Sequence, residues 1–87
     1  MSEQRVAVLR ALGQSGPMSA KNLSFQEGVD CKERELIKFV LPPMLTSTSD
    51  QPRLVQITSR GVSLTLAGVE ALSARGVDAT FYDNEEF

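Results

Sequence analysis

Apolar residues recur at helical spacing near the start of the chain, where Val8, Leu9 and Leu12, with Ala7 and Ala11, share one face. Ser2 is placed to cap that helix and Gly13 to stop it, so the pattern predicts a helix over about 3–12. Gln14-Ser15-Gly16-Pro17 reads as a turn. Ser19 then caps a second helix over about 20–27, with Met18 and Leu23 spaced as a hydrophobic staple. After the break at Gly28-Val29-Asp30, Asp30 and Glu33 form a capping-box-like pair ahead of Leu36, Ile37, Phe39 and Val40, which predicts a third helix over about 31–41. Pro42-Pro43 is expected to end it, because proline lacks the amide donor and clashes with the preceding turn.

Met44 and Leu45 can still pack, whereas residues 46–52 form a polar loop without core residues. Period-two alternation follows, with Val55 and Ile57 on one side of Leu54–Thr58 and Val62 and Leu64 on one side of Val62–Thr65. A turn at Ser59-Arg60-Gly61 would pair Ile57 with Val62 and Val55 with Leu64, putting all four on a single face. Thr65 caps a last helix, stapled by Leu64 and Val69, that turns Leu66, Val69 and Leu72 inward and stops at Gly76. The expected core is therefore Leu9, Leu12, Leu36, Val40, Val55, Leu64 and Leu72.

Three helices, a tight hairpin and a final helix make an α+β domain, and this order resembles the winged-helix variant of the helix-turn-helix over residues 3–76. The segment Val62-Ser63-Leu64-Thr65-Leu66-Ala67-Gly68-Val69-Glu70-Ala71-Leu72 is similar to the wing strand and following helix of MarR-type and PadR-type bacterial regulators, where a Leu-Thr pair precedes a glycine by three residues. Gly16-Pro17-Met18-Ser19-Ala20-Lys21-Asn22-Leu23 is similar to the start of the second helix in such regulators. A strict helix-turn-helix register counted from Gly28 would put apolar positions at Arg34 and Ile37, whereas the periodicity favours Leu36, Phe39 and Val40. Either the turn is longer or the helix is rotated. The long flanking helices by which MarR-type proteins dimerise have no counterpart here, so a dimer is expected to use another surface.

The 87 residues are one small domain's worth of chain, and 41% apolar with 23% charged residues is ordinary for a soluble globular protein. No apolar run approaches the roughly 18 residues of a membrane span, and Met1-Ser2-Glu3-Gln4-Arg5 lacks a signal-peptide pattern, so a cytoplasmic protein is expected. The chain has one cysteine and no histidine, which removes internal disulfides, histidine-based nucleophilic catalysis and the usual zinc sets. No phosphate loop, metal spacing or paired carboxylates appear either, so neither an enzyme nor a cofactor is expected.

Nine bases against eleven acids give a net charge of -2, yet four acids, Asp78, Asp83, Glu85 and Glu86, fall in residues 77–87, which hold no base. Nine bases against the remaining seven acids leave residues 1–76 at +2, permissive for a polyanion. The segment 77–87 reads either as a flexible, solubilising tail or, through Phe81, Tyr82 and Phe87, as a docking or dimer-forming one.

On a wheel of about 100° per residue, Leu36, Phe39 and Val40 oppose Cys31, Arg34, Glu35 and Lys38. The resemblance makes this outer face the major-groove reader, with Arg34 directed to guanine and Lys38 to a base edge or phosphate; otherwise it is a solvated face on which Glu35 partly neutralises Lys38. Arg60 at the hairpin tip and Arg53 at its base would meet the minor groove or backbone, unless the tip is merely solvated. Ser19 and Lys21 open the second helix where an anion is favoured, and Ser19 also serves simply as a cap. Cys31, near a helix start, would have its thiolate favoured and could sense oxidants, or is an inert edge residue. Double-stranded DNA, bound by a dimer or with a partner, is the expected target. The alternative is a winged-helix module that binds protein, consistent with a pI near 5.0.

Overall fold

Between Leu23 and Glu33 the chain is held by backbone turn bonds as far as Val29 and then by side-chain anchors on Asp30 and Lys32, which set where the third helical segment begins. A computed structural model describes residues 3–47, 49–80 and 82. Helix α1 spans Glu3–Ser15, α2 spans Ala20–Leu23, α3 spans Glu33–Glu35, a π-helical turn covers Leu36–Val40, α4 spans Leu41–Leu45, and α5 spans Leu66–Ser73. Strands β1 (Val55–Thr58) and β2 (Gly61–Leu64) form an antiparallel hairpin, giving an α+β fold. No described helix is long and apolar enough to cross a membrane.

Helix α1 does not stop at Gly13 but runs to Ser15, with Gly16 at φ 96° just beyond it. Gly13 is instead buried in the helix, and the chain returns to it: Val77 and Ala79 pack against the core, and the Thr80 amide donates to the Gly13 carbonyl at 2.7 Å. Residues 77–80, assigned to the tail by composition, are thus held against α5 at Val77 and α1 at Ala79 and Thr80, while 81 and 83–87 of the expected tail lie outside the described residues. Helix α2 is shorter than its pattern predicts and gives way to turns after Leu23; Ser19 caps it by accepting the Asn22 amide at 3.2 Å, and Met18 and Leu23 are both buried.

The third helical segment begins two residues later than the capping pattern implies. The Asp30 amide is occupied by Gln4 Oε1 at 2.8 Å, and Glu35 Oε1 accepts the Lys32 amide at 3.2 Å, so Lys32 becomes the N-cap. The connection between α2 and α3 therefore covers residues 24–32. Pro42-Pro43 does not end the helical path, which continues to Leu45. The Leu41 amide donates five residues back to the Leu36 carbonyl, and both prolines then fall in the first turn of α4, where their missing donors cost nothing.

This continuation recentres the buried stripe on Leu36, Val40, Leu41 and Met44 and corrects the expectation for Phe39, which is 69% exposed. A helix that ends at the prolines leaves out Met44, which together with Leu41 pulls the stripe away from Phe39.

In the hairpin, Val55 pairs with Leu64 and Ile57 with Val62, the register that the alternation predicts. Val55, Val62 and Leu64 are buried, but Ile57 is 64% exposed: it lies one step from the Ser59-Arg60 turn, past the cover of the helices. Met18 adds an antiparallel bridge to β2, its amide donating to the Val62 carbonyl at 3.1 Å and its carbonyl accepting the Val62 amide at 2.8 Å. Gly61 makes this approach possible, since its φ is 112° and a Cβ there would stand 2.7 Å from the Met18 carbonyl. The Leu54 amide donates to the Met44 carbonyl at 2.9 Å, tying the hairpin base to the end of α4.

Thr65 caps α5, accepting the Gly68 amide at 3.2 Å while donating to the Arg53 carbonyl at 2.6 Å. Its inward stripe runs through Thr65, Gly68 and Leu72, with Val69 half-buried beside it, so Leu66 is exposed rather than inward. All seven expected core residues are buried, Leu9 and Leu12 meeting Leu36, Val40, Val55, Leu64 and Leu72 in one cluster. Each fully buried side chain of this kind contributes about 1.5–3 kcal/mol.

Candidate functional site

The helical run 33–45 buries one stripe and presents the other to solvent, and the exposed side carries Arg34, Ile37, Lys38 and Phe39. Lys32, Arg34, Glu35, Lys38 and Phe39 line a shallow hollow of about 350 Å³ along its first turns. Three bases against one acid make this hollow electropositive, and Glu35 is already committed to the Lys32 amide. Arg34 and Lys38, four apart, are like charges on one helical face, an arrangement that a bound phosphate would relieve.

Beside that face lies a second hollow of about 310 Å³, formed where α2, the run 36–45 and the hairpin meet. Ile37, Leu41 and Leu45 come from the run, Ile57, Gly61 and Val62 from the hairpin, and Ser19 and Ala20 from the start of α2. Its walls are almost entirely apolar. Sequence reasoning missed it: Ile57 alternates like a core residue, and the signal against burial is its position next to the hairpin turn.

Of the remaining expected residues Ser19 lines this second hollow, and the others are dispersed. Arg60 is exposed in the hairpin turn, its amide donating to Thr58 Oγ1 at 3.2 Å, and Arg53 is partly buried at the hairpin base. Lys21 is exposed on α2, while the Ser19 hydroxyl is engaged as the cap. Cys31 precedes the N-cap, and its thiol donates to Gln4 Oε1 at 3.5 Å. Partial burial, then the charges of Glu35 and Asp30, push that thiol up from its ordinary value. The expected thiolate is therefore disfavoured, because desolvation and two carboxylates outweigh the helix start. Gln4, which sequence reasoning also missed, fixes both Asp30 and Cys31 and so positions the start of the run.

Among the described residues, no group of histidine, cysteine or carboxylate side chains could hold a metal. No protein-family model, characterised protein or solved structure matches the chain.

Proposed function

We propose that the protein is a small winged-helix DNA-binding module of the transcription-regulator type, which lays the run 33–45 in the major groove and uses the hairpin as its wing. The observation that carries this reading is the adjacency of two elements. Ile37 and Leu41 share a hollow with Ile57 and Gly61, so a helix bearing exposed Arg34 and Lys38 adjoins a hairpin bearing Arg60. The Met18 bridge supports the winged arrangement, since it fastens the hairpin to the start of α2. In this reading Arg34 contacts a guanine edge, Lys38 a phosphate, and Arg60, with Arg53 behind it, the neighbouring backbone or minor groove. Lys21 is an outlying phosphate contact. Ser19, Cys31 and Glu35 support the surface through their bonds to Asn22, Gln4 and Lys32.

Titration of labelled duplex DNA at two salt concentrations tests it. Affinity should fall steeply with salt, because each phosphate contact releases counterions. Absence of duplex binding at low salt would leave the second reading, a winged-helix module for protein partners, which the apolar hollow between helix and hairpin favours.

A further inference from the structure

The apolar hollow between α2, the run 36–45 and the hairpin is open to solvent and presents Ile37 at 53% and Ile57 at 64% exposure. Its volume of about 310 Å³ is at the small end of ligand pockets, generally about 300–1,000 Å³, enough for an aromatic anchor rather than a folded surface. The charged residues adjacent in sequence to its lining are Lys21, Lys38 and Arg60, every one a base and every one exposed. An apolar lining flanked along the chain by exposed bases fits a peptide that combines aromatic side chains with carboxylates.

The chain holds one such stretch, Phe81-Tyr82-Asp83-Asn84-Glu85-Glu86-Phe87, with three aromatics, three acids and no base. Tyr82 is exposed and does not line the hollow of its own molecule. We propose that this hollow receives the segment 81–87 of a second copy of the chain, an aromatic ring entering between Ile37 and Ile57 while the carboxylates meet Lys21, Lys38 and Arg60. Two molecules exchanging segments fill both hollows, a reciprocal contact that closes as a two-fold dimer. This inference does not rest on the proposed function, but it draws on the same bases, so a duplex and the exchanged segment would compete for Lys21, Lys38 and Arg60.

The test is a complementation experiment by sedimentation of the full chain. Wild type should dimerise with rising concentration, and Ile37→Asp with Ile57→Asp should weaken the dimer at least tenfold while the variant keeps the circular-dichroism spectrum of the folded chain, both side chains being exposed. A second variant, Phe81→Ala with Tyr82→Ala and Phe87→Ala, should weaken it equally. Mixing the two variants should restore a heterodimer with one intact contact. A labelled peptide of residues 80–87 should bind the aromatic variant, whose hollow is free, and not the Asp variant. The proposal is overturned by a wild type that stays monomeric up to millimolar concentration, by a dimer that the Asp substitutions leave intact, or by a mixture that fails to associate. Duplex binding by a chain that stays monomeric would overturn the exchange and leave the proposed function standing.

Discussion

Gly13 and Ala79 are in such close register that a Cβ added to the glycine would stand 2.8 Å from the Ala79 Cβ. Alanine in place of glycine inside a helix ordinarily stabilises by about 1 kcal/mol. Here Gly13→Ala should lower the stability of the full chain, because it pushes residues 77–80 off α1. In a chain ending at residue 76 only the Leu72 side chain, 3.2 Å from the added Cβ, still has to give way, so the same substitution should cost less than in the full chain. Denaturant titrations of both pairs check the difference; equal effects in the two backgrounds would show that the segment does not rest on Gly13 in solution.

Leu36 and Phe39 are three residues apart in the same helical run, yet Leu36 is 0% and Phe39 69% exposed. Leu36→Ala should cost about 2–5 kcal/mol, which a domain this small tolerates poorly. Phe39→Ala should stay within about 0.5 kcal/mol, as expected of a surface site. Comparable losses in thermal unfolding would mean that the run is rotated from the orientation described.

Thr65 is fully buried, and its hydroxyl serves the Gly68 amide and the Arg53 carbonyl together. Thr65→Val keeps the shape but strands both backbone groups, so a loss of about 1–3 kcal/mol is expected. Thr65→Ser keeps the hydroxyl and should recover most of it. If valine and serine prove equally stable, the cap contributes nothing at the junction between hairpin and helix.

Cys31 has a raised pKa through partial burial and the nearby Glu35 and Asp30 charges. Less thiolate is then present at neutral pH, and alkylation by iodoacetamide should be slower than for a free thiol, with its half-maximal rate displaced to higher pH. Folding favours the protonated form, so this group's contribution to stability is complete below the unfolded-state pKa and disappears as pH rises through the folded-state value. Glu35→Gln removes one of the charges and should shift the alkylation profile back toward lower pH.

Arg34 and Arg60 should separate base readout from backbone contact in the proposed DNA complex. Arg34→Ala is expected to weaken binding by about 1–3 kcal/mol and relax base preference, since a contact to a base edge is lost. If Arg60 meets only phosphate, Arg60→Ala weakens all duplexes alike and lowers the salt slope by about one, and Lys38→Ala follows the same pattern. A preference for A·T-rich flanks that disappears with Arg60 would instead place it in a narrow minor groove. Identical losses on specific and random duplexes for Arg34→Ala would remove it from base readout.

The sequence by itself determined the element order, the hairpin register and the seven residues at the centre of the core. These follow from short-range rules: the period of apolar positions, the caps at Ser19 and Thr65, and the alternation that pairs Val55 with Leu64. What it left open depended on contacts between distant segments. Gly13 looks like a helix stop until Ala79 is seen lying on it, and Asp30 looks like a cap until its amide is found bonded to Gln4. The run past Pro42-Pro43 shows the same division. Proline chemistry alone argues for a break, but the π-helical turn lets the chain restart with both prolines in a first turn, and packing of Leu41 and Met44 rewards that path. The candidate site was legible only as separate bases, because Arg34 and Arg60 lie far apart along the chain. That helix and hairpin adjoin around an apolar hollow was decided by the tertiary structure, through the Met18 bridge and the Leu54–Met44 hydrogen bond, neither of which leaves a periodic trace in the sequence.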